Sequence, residues 1–208
     1  MNDLYQKIII KDGNRHTSIT REEAIFLYNF VKKQKLKKTL EIGLAYAVSA
    51  LHIMEGSGGV HTAIDPFQGS EKYQNTGLKN VRRLGLESNL KFYNEYSAAV
   101  LPELWKKGTE FDLVFMDGSH FFDDIFVDFY FIDKLLMIDG FVIMHDAWTP
   151  QIKTLKAWIE SNKINYYQIK NTRQNNFLVW QKINQDKRKW FDFKKFEVDE
   201  NGTISCYM

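Results

Sequence analysis

The chain is poor in cysteine, poor in proline and short of net charge. Its one cysteine, Cys206, excludes an internal disulfide framework and any cysteine-based zinc cluster, and fits a reducing, cytoplasmic setting. Three prolines in 208 residues, with no internal repeat and no low-complexity tract, leave no obvious linker, so one domain is expected. No apolar run approaches the roughly 18 residues that a membrane span needs, and residues 1–30 lack the charged-then-apolar plan of a signal peptide. No membrane partner is expected. The charge count, 28 basic against 26 acidic residues, gives a formal net charge of +2, too small to make nucleic acid the expected partner.

What the chain does have is apolar content, 44% of its residues. A chain of this size buries roughly 70% of the surface its unfolded form exposes, so it needs neither disulfide nor metal to stay folded. Residues 20–35 begin with Thr20-Arg21-Glu22-Glu23, a capping-box pattern, and then place Ala24, Leu27, Tyr28 and Val31 at helical spacing. Lys32, Lys33, Lys35, Lys37 and Lys38 follow. They invite a nucleic-acid or membrane reading, but cations that complement the negative end of a helix account for them more simply.

From Lys38 the pattern changes to short apolar runs separated by helical stretches. Strands are expected at 39–42, 60–64, 90–93, 113–116 and 141–144, with helices at 48–55, 71–84, 98–107 and 123–136. This alternation predicts an α/β, doubly wound, mostly parallel sheet with helices on both faces. A further helix at 153–163 precedes two runs, 166–170 and 177–182, that read as a hairpin around the polar residues 171–176. Residues 190–208 mix aromatics with balanced charge and are expected to pack against the body.

In such a sheet ligands bind beyond the carboxyl ends of the strands. Those ends read Glu41-Ile42-Gly43, Asp65-Pro66, Glu95-Tyr96-Ser97, Asp117-Gly118-Ser119-His120 and His145-Asp146, and each carries a polar or ionisable group. Gly43 permits a tight turn into a helix whose amino end would receive an anion, while Glu41 would attract an ammonium group. Together they suit an amino acid moiety. Asp65 is placed to accept both hydrogen bonds from a ribose diol, which implies a nucleoside, with Tyr96 and Ser97 near the base edge. Asp117 and Asp146 are hard oxygen ligands for Mg²⁺ or another divalent cation. His120 and His145, with an ordinary pKa near ~6.5, are candidate general bases. His16, His52 and His61 have no such setting and are expected to be structural or surface residues.

These residues resemble class I S-adenosylmethionine-dependent methyltransferases. The likeness is closest to a small bacterial group that shares the order Glu41-Ile42-Gly43, Ile64-Asp65-Pro66-Phe67-Gln68 and Asp117-Gly118-Ser119-His120, followed by Asp128-Phe129, Leu135-Leu136 and a strand over 140–146. The resemblance implies a Rossmann-like seven-stranded sheet of order 3-2-1-4-5-7-6 with strand 7 antiparallel. It implies a single domain, with a helical extension at 1–37, a catalytic core at 38–183 and a tail at 184–208. S-adenosylmethionine would lie across the strand ends, its methionine by Glu41, Gly43 and Ala45, its ribose on Asp65, its adenine near Tyr96 and Ser97, and its methyl facing Asp117. Two residues depart from the pattern. Ala47 stands where glycine is frequent, and Ala147 stands where metal-dependent relatives carry a further ligand, unless His120, His145 or water replaces it.

Methyl transfer to a hydroxyl needs position and a base. His120 is the first candidate and His145 the second, with Asp117 and Asp146 orienting the base or holding a cation. No Asn/Asp-Pro-Pro-Tyr/Phe box follows the fourth strand, which favours oxygen over nitrogen as the target. A small-molecule or saccharide acceptor is expected, its pocket shaped by residues 68–76, 121–131 and Trp148. The stripe Phe122, Phe126, Phe129 and Tyr130 reads as core. A homo-oligomer stays open. So do an NAD(P)-dependent oxidoreductase, although only Gly43 of a Gly-x-Gly-x-x-Gly motif is present, and a non-catalytic binding module.

Overall fold

The computed structural model describes residues 4–170, 176–198 and 204–206. Alternating strands and helices form β1 (Lys38–Ile42), α2 (Val48–Ser57), β2 (Val60–Ile64), α3 (Thr76–Arg83), β3 (Leu90–Tyr93), α4 (Ser97–Lys106), β4 (Phe111–Met116), α5 (Phe122–Leu135), β5 (Leu136–Met144) and α6 (Pro150–Asn162). Helix α1 (Arg21–Gln34) precedes them, and the hairpin β6 (Tyr166–Gln168) and β7 (Leu178–Lys182) follows. One seven-stranded sheet results, of order β3-β2-β1-β4-β5-β7-β6, with β7 antiparallel to both its neighbours. This is the Rossmann-like order that the resemblance implied. A separate two-stranded ladder, β8 (Phe196–Val198) with β9 (Ile204–Cys206), was not foreseen.

Side chains alternate across each strand, and this parity divides the core in two. Leu113, Phe115, Phe141 and Ile143 face α1 and α2, while Val114, Met116, Val142 and Met144 face α4, α5 and α6. Burial on both faces is why these runs are continuously apolar. Helix α1 starts at Thr20 with both halves of the capping box formed, and it lies against α2 where a side chain on Gly56 would strike the Tyr28 carbonyl. The segment before it is tied down by Asn80 of α3, which donates to the carbonyls of Ile9 (2.8 Å) and Tyr46 (3.1 Å) and accepts from the Ile9 amide (3.0 Å).

Several boundaries differ from expectation. Helix α3 starts at 76 rather than 71, because Gln74 and Asn75 are left-handed (φ 48° and 57°) and residues 66–75 form turns instead. Strand β5 starts at 136 rather than 141, directly after α5, through an irregular register between Phe111 and Leu113 of β4. Of the polar hairpin connection, residues 171–175 lie outside the described residues. In the tail, the side-chain amide of Asn162 exchanges hydrogen bonds with the Lys194 backbone (3.0 and 2.8 Å), while Trp190, Phe191 and Phe193 are exposed. Among the described residues no helix is long and apolar enough to cross a membrane.

Candidate functional site

The carboxyl ends of β1, β2, β4 and β5 open into a cavity of about 860 Å³, within the range of small-molecule sites. Its lining includes Gly43, Ala45, Asp65, Tyr96, Ser97, Asp117, His120, His145 and Asp146. The turn after β1 is sharply coiled. Gly43 has φ +94° and lies so close to the Asp117 carbonyl that a Cβ would not fit, and Ala45 and Ala47 are left-handed at φ 44° and 62°. Ala47 caps α2 without any side-chain hydrogen bond, which leaves the first-turn amides at Val48 and Ser49, both on the cavity wall, open to an anion. Helix α4 likewise begins without a side-chain cap, at Tyr96.

Asp65 is buried and heavily engaged. Its Oδ2 accepts from the amides of Leu44 (3.0 Å) and Ala45 (2.9 Å) and from Gln68 Nε2 (3.0 Å), and its Oδ1 accepts from the Phe67 amide (2.7 Å). A carboxylate offers about four acceptor positions, so Asp65 clamps two turns together and keeps at most one lone pair, on Oδ1, for a ligand. The ribose-diol role expected from the sequence would therefore fall to Oδ1 alone. Phe67 and Tyr96, 52% and 59% exposed, stand edge to face at 6.0 Å beside it. Ser97 hydrogen bonds to Asp128, whose carboxyl burial pushes up to about 7.

Glu41 requires correction. Strand parity sends it away from the cavity, to the α1 and α2 face, where it is fully buried. There it accepts from Ser49 Oγ and meets His61 Nε2 at 3.1 Å, while His61 Nδ1 meets Thr39 Oγ1 at 2.8 Å. Burial raises the Glu41 pKa against the pull of His61. The residue is not on the cavity lining, although its partner Ser49 is.

Where β4 and β5 end, two histidines and three carboxylates converge. His120 Nε2 meets Asp146 Oδ2 at 2.7 Å, which raises the His120 pKa, and Trp148 Nε1 donates to Asp146 Oδ1 at 3.2 Å. The pairing with His120 and His145 holds Asp146 below the usual carboxylate range, and its backbone is left-handed at φ 52°. His145 Nδ1 meets Asp117 Oδ1 at 3.0 Å, while its Nε2 faces Glu23 Oε1 at 3.4 Å and the Asn176 amide at 2.8 Å. Burial opposes charge on this ring, but the Asp117, Asp146 and Glu23 carboxylates outweigh it and push its pKa up to about 12. Both of its ring nitrogens are thus engaged within the protein, which leaves neither turned to a substrate proton, and the second base expected here has no free nitrogen in this arrangement. Ligand atoms of Asp117, His120 and Asp146 all lie within 4.8 Å of one another.

Three contributors escaped the sequence reading. Residues 16–19 form one wall of the cavity, so the exposed His16 borders it, and among the described residues Ser18 Oγ there is buried without a partner. Glu23 appeared only as a helix-capping residue, yet it also reaches His145. Asn176 ends a polar run that carried no chemical signal. His52 is buried, with Nδ1 at 2.7 Å from the Val48 carbonyl. On α5, Phe126 and Phe129 pack against Trp158, whereas Tyr130 is half exposed.

Comparison with known proteins agrees with this geometry. A family model described as "Methyltransferase domain" matches residues 40–147. No curated protein matches the chain. Among solved structures, an O-methyltransferase from Bacillus cereus in complex with SAH (S-adenosylhomocysteine) is 17% identical, with TM-score 0.65 over 81% of this chain and 83% of that one. The O-methyltransferase TomG from Streptomyces achromogenes, in complex with SAM, is 15% identical, with TM-score 0.68 over 88% and 91%. The SAH-bound methyltransferase PaMTH1 from Podospora anserina is 14% identical, with TM-score 0.70 over 88% and 89%. At such identities the likeness extends to the fold.

Proposed function

Because the chain belongs to the family of methyltransferase domains, we propose that it transfers a methyl group from S-adenosylmethionine to a hydroxyl oxygen of a small molecule or saccharide. The observation that supports this most is one cavity lined both by the uncapped start of α2 and by the His120–Asp146 pair. Its residues fit the cofactor. The first-turn amides of α2 suit a carboxylate, Ser18 Oγ is a buried polar atom in want of a partner, and Phe67 and Tyr96 offer apolar surface for a base.

Bound there, S-adenosylmethionine supplies an electrophilic methyl group on a sulfonium. The chain must then bring the acceptor oxygen to about 3–3.5 Å from that carbon, in line with the departing sulfur. His120 removes the hydroxyl proton. Asp146 occupies Nε2 and leaves Nδ1 to accept it, and by raising the proton affinity of the ring it makes His120 a stronger base. The half-exposed ring then returns the proton to water. His145, engaged through both ring nitrogens, holds the Asp117 carboxylate on the cavity wall.

A second reading draws on the ligand-atom spacing of Asp117, His120 and Asp146. Two carboxylates and an imidazole suit Mn²⁺, Fe²⁺ or Zn²⁺ better than Mg²⁺, which prefers oxygen ligands. Held there, the ion would polarise the acceptor hydroxyl. His120 would then be a ligand through a nitrogen that otherwise bonds Asp146.

Calorimetric titration with S-adenosylhomocysteine tests the cofactor, and label transfer from tritiated S-adenosylmethionine to a panel of phenols, sugars and hydroxy acids, with and without EDTA, tests the chemistry. The expected result is product binding, transfer that survives EDTA, and a loss of about 10²–10⁴-fold in turnover for His120→Ala. Absence of product binding refutes the proposal, and transfer abolished by EDTA and restored by Mn²⁺ assigns His120 to the metal.

A further inference from the structure

Glu23 serves two structures at once. Its Oε2 accepts the Thr20 amide at 2.7 Å and closes the capping box of α1. Its Oε1 accepts from Asn176 Nδ2 at 2.9 Å and faces His145 Nε2 at 3.4 Å, and His145 in turn reaches Asp117 through Nδ1. The first task explains the residue type but not its surroundings. A capping box needs only one side-chain oxygen, and glutamine serves as well as glutamate there. Yet Glu23 is 4% exposed. Withdrawing a carboxylate from water is costly unless it is paired and hydrogen bonded, and its partners here come from the cap of α1, from the residue after β5 and from the loop before β7. The acids facing His145 are Asp117, Asp146 and Glu23, and of these Glu23 alone is absent from the cavity lining.

We infer that Glu23 is a positioning residue of the methyl-transfer site: from outside the cavity it fixes the His145 ring, and through that ring the Asp117 carboxylate on the cavity floor. The inference rests on the proposed reading of the cavity as a methyl-transfer site. It makes α1 part of the catalytic apparatus rather than an extension of it. Without the Glu23 charge, His145 keeps carboxylate partners only on its Nδ1 side, and Asp117 loses a fixed neighbour. Catalysis depends on such placement at the level of about 1 Å, which can cost about 100-fold in rate.

Two variants separate the two tasks. Glu23→Gln keeps an oxygen for the Thr20 amide and removes the charge from His145, whereas Thr20→Ala removes the cap and leaves the charge. Three quantities are measured: the ring N–H signals of His145 in ¹⁵N-histidine-labelled protein, assigned by their loss in His145→Gln; the affinity for S-adenosylhomocysteine; and turnover on the panel acceptor that reacts fastest. Glu23→Gln is expected to shift the His145 signals and to lower kcat about 10–100-fold, with product affinity changed by less than about threefold. Thr20→Ala is expected to lower Tm by about 2–4 °C with His145 signals and turnover unchanged. Unshifted signals and wild-type turnover in Glu23→Gln overturn the inference, and so does an equal loss of turnover in Thr20→Ala. Failure of the wild type to bind S-adenosylhomocysteine overturns the cofactor reading instead, since the His145 signals are read without ligand.

Discussion

Replacing Asp65 by asparagine changes a carboxylate oxygen to an amide nitrogen at a buried position where four hydrogen bonds arrive. The best arrangement keeps the new oxygen towards Leu44, Ala45 and Gln68, and sets the amide nitrogen against the Phe67 amide, donor against donor. One charge-assisted bond is then lost outright and the others become neutral. A hydrogen bond to a charged group is worth about 1.5–3 kcal/mol, so Asp65→Asn should cost about 2–3 kcal/mol. For a chain of this length that lowers Tm by about 5–10 °C. Thermal melts of the ligand-free protein measure it, and titration with S-adenosylhomocysteine measures the loss of affinity, expected at about tenfold because Oδ1 has only one lone pair to offer. The alternative, a carboxylate held free for the ribose, predicts the reverse pattern. An unchanged ligand-free melt together with a much larger loss of affinity would refute the clamp.

Other perturbations test other parts of the fold. Burial raises the Asp128 carboxyl from 3.8 to about 7, so the folded state holds its proton more tightly than the unfolded chain. Stability should therefore be full below pH 3.8 and fall as pH rises to about 7, by on the order of 4 kcal/mol, and Asp128→Asn should remove that fall in pH-dependent urea melts. Ala47→Gly relieves a left-handed alanine (φ 62°) and should raise Tm by about 2–4 °C, and a lower Tm would contradict the assigned backbone. Lys163 is buried between Asp133 and Asp186, at 2.6 Å from each, so Lys163→Ala should cost at least about 3 kcal/mol, read as the urea midpoint.

Much of the architecture is legible along the chain because its signals are local. Short apolar runs separated by helical spacing mark β1 to β5, buried on both faces in all but the edge strand β3, and the capping box marks α1 to within a residue. The same local signals mislead where backbone conformation intervenes. The two left-handed residues before α3 are Gln74 and Asn75, neither of them glycine, so the true helix start could not be told from a continuous polar helix. The start of β5 was hidden because Leu136 to Asp139 follow α5 with no breaker between them.

At the site, distance along the chain separated what could be read from what could not. The strand-end residues were found because topology brings every carboxyl end of a parallel sheet to one edge. Glu41 was misassigned although its orientation was readable in principle. It alternates with Leu40 and Ile42, both of which pack towards α4 and α5, so its side chain must leave on the opposite face, where His61 of the neighbouring strand waits with Thr39. Glu23 and Asn176 carried no comparable signal. They stand 153 positions apart and meet only in the folded chain. Strand-end chemistry can therefore be inferred from local pattern, whereas the residues that hold such chemistry in place come from elements whose own local roles, a helix cap and a hairpin loop, conceal the second use.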